Sequence, residues 1–197
     1  VNDVFTKSRL ESLGTGNMAV GHVRYGTTGT DGRINAQPIV VNHVKGHTAL
    51  AHNGNLVNSL ELRNELEMEG SIFHTTSDTE VISYILTKER IHTGSVEEAL
   101  ERTMDRLKGA YSIVVMSPTK LIAARDKNGF RPLCFGKTAA GDYVIASESC
   151  ALDSVGAEYI RDVEPGEIVV FAKDGIKEIK THCSKCERKI CIFEYIY

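Results

Sequence analysis

The chain has 197 residues, 42% of them hydrophobic and 25% charged, the composition of an ordinary folded protein with enough apolar material for one sizeable core. A net charge of −3 with no long basic run argues against a nucleic-acid partner, and no apolar stretch approaches the ~20 residues that a membrane helix needs. Five cysteines, an odd number with no signal peptide at 1–5, argue against a disulfide framework and predict reduced thiols in a cytoplasmic setting.

In chain order, residues 18–25 read as a strand leading into a Gly/Thr-rich loop at 26–32. Residues 39–41 and 48–51 read as short strands either side of a turn. After the second, the chain is expected to turn through Asn53-Gly54, a dipeptide suited to positive φ. Three helices follow. The first spans 59–69, with Asn58 as N-cap and Gly70 as stop. The second spans 78–89 and places Val81, Ile82, Ile85 and Leu86 on one face. The third opens on the capping box Ser95-Val96-Glu97-Glu98, aligns Val96, Leu100, Met104 and Leu107, and stops near Gly109. The pattern then turns β. Residues 110–116 and 120–124 flank Ser117-Pro118 as a hairpin. Further strands are expected at 133–135, 143–147, 167–172 and 176–179, separated by turns at Gly141-Asp142, Pro165-Gly166 and Asp174-Gly175. Helices set on mostly hairpin-connected strands predict an α+β sandwich rather than a doubly wound parallel sheet. Residue 1 is Val and 190–197 is an apolar, aromatic run with no cap or turn, so both ends read as internal to a longer polypeptide.

Three segments carry candidate chemistry. Asn53-Gly54, after the apolar run Thr48-Ala49-Leu50-Ala51, sets a side-chain amide beside a bare backbone N–H. Two such fixed donors can stabilise the anion formed when an amide carbonyl is attacked; the plainer alternative is an Asn-Gly hairpin turn. Arg24, in Gly21-His22-Val23-Arg24-Tyr25-Gly26-Thr27-Thr28-Gly29, can clamp a carboxylate through two parallel hydrogen bonds, or sit in a surface salt bridge. Asp78, in Thr75-Thr76-Ser77-Asp78-Thr79-Glu80, can hold an ammonium group or simply cap its helix. A carboxylate clamp, an ammonium clamp and an amide-carbonyl hole together describe a free amino acid with a side-chain amide, glutamine or asparagine. His22, His52 and His74 lack close metal-ligand spacing and read as packed structural histidines. Cys183-Ser184-Lys185-Cys186 is either half of a metal site or two exposed thiols.

At these segments the chain resembles the glutaminase domain of the class II, N-terminal-nucleophile glutamine amidotransferases. Within that class, His22-Val23-Arg24-Tyr25 is similar to the amidophosphoribosyltransferase family, whereas hexosamine-forming members usually read His-Thr-Arg-Trp there. The same family is resembled at five further places. These are Ile72-Phe73-His74 leading into Thr75 and its neighbours, Arg125-Asp126-Lys127-Asn128-Gly129-Phe130-Arg131-Pro132-Leu133, Ala146-Ser147-Glu148-Ser149-Cys150-Ala151, Val163-Glu164-Pro165-Gly166-Glu167, and 191–197.

The resemblance implies an N-terminal-nucleophile hydrolase-like αββα sandwich of mainly antiparallel sheets. It implies a glutaminase domain over 1–186 that lacks its N-terminal segment, and the start of a phosphoribosyltransferase domain at 187–197. The implied reaction is the first step of de novo purine synthesis, in which glutamine and phosphoribosyl pyrophosphate give 5-phosphoribosylamine, glutamate and pyrophosphate. Arg24 would hold the glutamine carboxylate, Asp78 its ammonium, Asn53 and Gly54 the oxyanion, with Thr27 as a further contact. Mg2+ is expected in the phosphoribosyltransferase domain, Cys191 as a 4Fe–4S ligand of the full-length protein, and a homo-oligomer as the assembly. The family's nucleophile is a cysteine at the mature N-terminus, whose own α-amino group can act as base. Val1 corresponds to a point well inside the domain, and none of the five cysteines replaces that nucleophile. The chain as it stands is therefore not expected to hydrolyse glutamine. The alternatives are a hexosamine-forming class II amidotransferase or a non-catalytic amino-acid-binding module.

Overall fold

The computed structural model describes residues 5–24 and 33–192, so Thr27 and its loop lie outside the described residues. In chain order the elements are α1 (Lys7–Ser12), a 3₁₀ turn (Arg33–Asn35), β1 (Ile39–His43), β2 (Gly46–Leu56), α2 (Ser59–Met68), α3 (Asp78–His92), α4 (Val96–Arg106), β3 (Gly109–Met116), β4 (Lys120–Arg125), β5 (Cys134–Thr138), β6 (Tyr143–Ala146), α5 (Ser149–Ser154), β7 (Ala157–Asp162), β8 (Ile168–Ala172) and β9 (Gly175–Ile179). The strands form one sheet in the order β1-β2-β3-β4-β8-β9 and a second in the order β6-β5-β7. Every pairing is antiparallel.

Alternation along the strands builds the layers. Ile113 and Val115 of β3, Ile122 and Ala124 of β4, and Ile168 and Val170 of β8 pack with Leu62 and Leu66 of α2, Ile82 and Ile85 of α3, and Leu100 and Met104 of α4. The intervening Ala123, Val169 and Phe171 face the other way and meet Leu133, Phe135 and Val163 between the sheets. Cys134, Leu152 and Ala157 close the outer face of the small sheet beneath α5. The result is an α/β/β/α sandwich of antiparallel sheets, the α+β arrangement that the pattern predicts and the layering that the family resemblance implies. Each fully buried Leu or Ile here contributes roughly 1.5–3 kcal/mol.

The helix termini are closed by side-chain and backbone caps, and that of α3 bears on the site. Ser77 caps α3 by accepting from the Thr79 N–H. Ser95 caps α4 by accepting from the Glu98 N–H, and the Glu98 carboxylate reaches back to the Gly94 N–H. At the end of α2, the Ser71 N–H bonds the Leu66 carbonyl and the Gly70 N–H bonds Glu67, with Gly70 at φ 92°, a Schellman stop. Asn58 occupies the N-cap position of α2 but makes no side-chain cap. Its amide instead bonds the Arg106 carbonyl and the Lys108 N–H, tying off the C-terminal end of α4.

The structure corrects several expectations. Residues 18–24 are not a strand, because no described segment pairs with them. The chain does not turn at Asn53-Gly54: β2 continues to Leu56, pairing Asn53 with Ser112 and Gly54 with Tyr111. Gly54 keeps the positive φ, at 136°, but inside the strand. α3 runs to His92, with the Thr93 hydroxyl satisfying the Glu89 carbonyl. α1, α5 and β7 had no counterpart in the sequence reading. Cys150 lies in the short α5, which packs through one buried leucine, Leu152.

Candidate functional site

Where β2 passes the N-terminus of α3, a cavity of about 490 Å³ opens, within the range of small-molecule sites. Arg24, Asn53, Gly54 and Asp78 all line it, together with Gln37, His52, Arg131 and Glu148. A second, more apolar cavity of about 440 Å³ adjoins it between the sheets and shares His22, His52 and Asn53. Three segments far apart in sequence thus converge on one space.

Asp78 is the first residue of α3 and is buried. Because Ser77 does the capping, the carboxylate is free of that task. Its Oδ2 accepts from the Leu56 N–H at 3.1 Å, and its Oδ1 stands 3.7 Å from His52 Nδ1. The preceding loop is held from two sides. The Glu80 carboxylate accepts the N–H groups of His74 and Thr75 and the Thr75 hydroxyl, and the Asn35 amide brackets Thr76.

Asn53 and its cross-strand partner Ser112 share a face of the sheet. The Asn53 side chain is exposed, and its Oδ1 lies 2.9 Å from His22 Nε2. Gly54 brings the strand into close contact with β3. A Cβ at this position would stand 2.8 Å from the carbonyl carbon of Ala110 and 2.9 Å from the Cα of Tyr111. Only glycine fits.

Sequence reasoning gave no site role to Gln37, Arg131 or Glu148. For the last two a signal existed, since both lie in motifs that carry the family resemblance. Arg131 is presented by a rigid loop. The Arg125 guanidinium donates to the carbonyls of Arg131, Val163 and Gly129 at 2.7–2.9 Å. The Asp126 carboxylate collects the N–H groups of Tyr111, Asn128, Gly129 and Phe130. The Ser112 hydroxyl bonds the Arg131 and Pro132 carbonyls. Gln37 accepts the His52 N–H at 2.7 Å, tying the segment before β1 to β2. Among the described residues the cavity wall thus carries two cations, Arg24 and Arg131, and two anions, Asp78 and Glu148, a balance suited to a zwitterion.

His52 is buried beside this charge. Burial holds its imidazole below the usual histidine range. Asp78 opposes that, while His22 and Arg131 reinforce it. A histidine depressed in the folded state gives stability that is fully present above its unfolded pKa of about 6.5 and is lost as pH falls below it. Thermal melts from pH 7.5 down to 5.5 are therefore expected to show falling stability, with a shallower slope in His52→Gln. An unchanged slope would refute this assignment.

None of the five cysteines lines the cavity. Burial pushes the Cys134 thiol up to about 11. A hydrogen bond to Glu148 raises that of Cys150, and burial raises that of Cys183. All three stay protonated and poorly nucleophilic. Among the described residues no group of three or more His, Cys, Asp or Glu side chains converges in a way that could hold a metal.

Comparison with known proteins identifies the family. The model of the glutamine amidotransferase domain family matches residues 22–154. The amidophosphoribosyltransferase of Archaeoglobus fulgidus is 49% identical over 197 residues, covering 100% of this chain and 42% of its own. That of Bacillus subtilis is 43% identical over 199 residues, covering 100% and 40%. A solved structure of glutamine phosphoribosylpyrophosphate amidotransferase from B. subtilis, complexed with ADP and GMP, superposes with a TM-score of 0.81 at 44% identity, over 89% of this chain and 37% of that one. The chain spans about two-fifths of the length of these relatives.

Proposed function

Given that the chain belongs to the glutamine amidotransferase domain family, we propose that it is the glutaminase part of an amidophosphoribosyltransferase, acting in the first step of purine synthesis. The observation that carries this reading is the convergence of Arg24, Asp78, Asn53 and Gly54 on one cavity. Arg24 binds the α-carboxylate of glutamine through its planar fork, and Asp78 accepts the α-ammonium. That orientation sets the side-chain amide against Asn53 and Gly54. A cysteine thiolate supplied from outside residues 1–197 attacks the amide carbon. As the C–S bond forms, the carbonyl oxygen takes the negative charge and is stabilised by the Asn53 amide N–H and the Gly54 backbone N–H. Collapse of this anion breaks the C–N bond: the nitrogen takes up the proton that the thiol gave to its own α-amino group and leaves as ammonia, and water then cleaves the thioester to glutamate and restores the thiol. The ammonia displaces pyrophosphate from phosphoribosyl pyrophosphate in a second domain, where Mg2+ would assist. Cys191 is half-buried and is suited to be one thiolate ligand of a 4Fe–4S cluster. The other ligands would have to come from elsewhere, and no step above depends on them.

The test is glutamate release by the full-length protein with and without phosphoribosyl pyrophosphate, beside a polypeptide of residues 1–197 alone. Stimulated release by the first and background release by the second are expected. Release indifferent to phosphoribosyl pyrophosphate would point to another acceptor, such as a hexose phosphate. Glutamate production by residues 1–197 alone would refute the external nucleophile. In the active protein, Asp78→Asn removes a charged hydrogen bond worth about 1.5–3 kcal/mol. It is expected to raise the KM for glutamine about 10–100-fold with little change in kcat; an unchanged KM would remove Asp78 from the binding site.

A further inference from the structure

We propose that His22 is a positioning residue that fixes which end of the Asn53 amide faces the substrate, a reading that rests on the glutaminase function proposed above. An asparagine side chain presents an acceptor at one end and two donors at the other, and a half-turn exchanges them. An oxyanion hole works only with the donor end inward. Asn53 is exposed on its strand, so core packing does not choose between the two orientations.

The choice comes from the bond between His22 Nε2 and Asn53 Oδ1 at 2.9 Å. The amide oxygen carries no hydrogen, so the ring nitrogen is the donor and Nε2 holds the proton. The amide oxygen is thereby anchored on the His22 side, and the NH2 group is left for the cavity. The other ring nitrogen agrees with this tautomer. Nδ1 is buried and has no hydrogen-bond partner among the described residues, so a proton there would go unsatisfied.

The backbone explains how His22 reaches this place. Residues 18–24 run past β2 without joining a ladder. Gly21, His22, Val23 and Arg24 all line the cavity, with His22 and Arg24 half-buried and Val23 75% exposed. One short segment therefore supplies the clamp for the carboxylate end of the ligand and the group that orients the donor at its amide end.

His22→Phe keeps a ring of similar size but has no donor. In the full-length protein it is expected to lower kcat for glutamate release at least tenfold while leaving the glutamine KM within about threefold, since ground-state binding through Arg24 and Asp78 is untouched. His22→Gln places an N–H near the position of Nε2 and is expected to recover most of kcat; the shorter His22→Asn is not. Asn53→Ala in the His22→Phe background should cost little more than Asn53→Ala alone, because the two residues act as a unit. Wild-type kcat in His22→Phe, a KM effect without a kcat effect, or multiplicative losses in the double variant would overturn the proposal. If His22→Phe fails to fold, the contrast between His22→Gln and His22→Asn decides by the same kcat criterion, with equal activities counting against. Full-length wild-type protein that releases no glutamate would overturn the glutaminase reading and this proposal with it. An active wild type with an indifferent His22 would overturn this proposal alone.

Discussion

Replacing Asn53 with alanine is expected to lower kcat for glutamine hydrolysis by about 10²–10³-fold in the full-length protein while leaving KM within a few-fold. The Asn53 side chain is itself exposed, at the edge of the cavity, so its loss leaves no hole in the core and fold stability should hardly change. What is lost is one donor aimed at the place where negative charge develops. Because that charge is absent from bound glutamine, the loss falls on the transition state. Asn53→Asp should be worse than Asn53→Ala, since a carboxylate cannot donate and repels the developing anion. Steady-state kinetics with matched thermal melts check both variants. A kcat for Asn53→Ala near wild type would remove the oxyanion assignment, and a collapse of the melting temperature would recast Asn53 as a strand-pairing residue.

Gly54→Ala is expected to damage both fold and site. Its φ of 136° is strained for any residue with a Cβ. The added methyl would meet the main chain of Ala110 and Tyr111, and backbone in the middle of a paired sheet cannot swing aside as a long side chain would. The expected cost is about 2–4 kcal/mol, which is roughly 5–15 °C in melting temperature for a chain of this size. The shift of β2 against β3 would also move the Gly54 N–H, so glutamate release should fall even in the fraction that stays folded. Gly175→Ala is the control. It also has a positive φ, of 124°, but nothing lies within 4 Å of its Cβ, so it should cost about 1 kcal/mol, from backbone strain alone. Equal melting temperatures for the two variants would show that the close approach at Ala110 does not matter.

These two residues also mark where reading the chain alone stops short. Their identity and chemistry were legible: an amide and a bare N–H side by side suggested an oxyanion site before any fold was known. Their conformation was not. Asn-Gly is a turn signal by local preference, yet here it lies within β2, because pairing with Tyr111 and Ser112 of β3 outweighs that preference. Residues 18–24 erred in the opposite direction, since an apolar alternating segment becomes a strand only where another strand takes up its hydrogen bonds.

Patterns that depend on near neighbours were decided by the amino-acid order itself. The helical faces of α3 and α4, the cap at Ser95, the stop at Gly70, the β3–β4 hairpin and the two-faced alternation of β8 all rest on contacts within a few residues or on a strict period. The order of residues also carried the motif at Arg24, Asn53 and Asp78, and with it the family. Long-range packing alone settled the rest. It brought Arg131 and Glu148 to the cavity and handed the capping of α3 to Ser77, leaving Asp78 for the site. It set His22 against the Asn53 oxygen and placed His52, expected to be structural packing, beside the Asp78 carboxylate. Each of these contacts joins segments that local preference cannot relate, and their geometry exists only once both sheets and α3 are assembled.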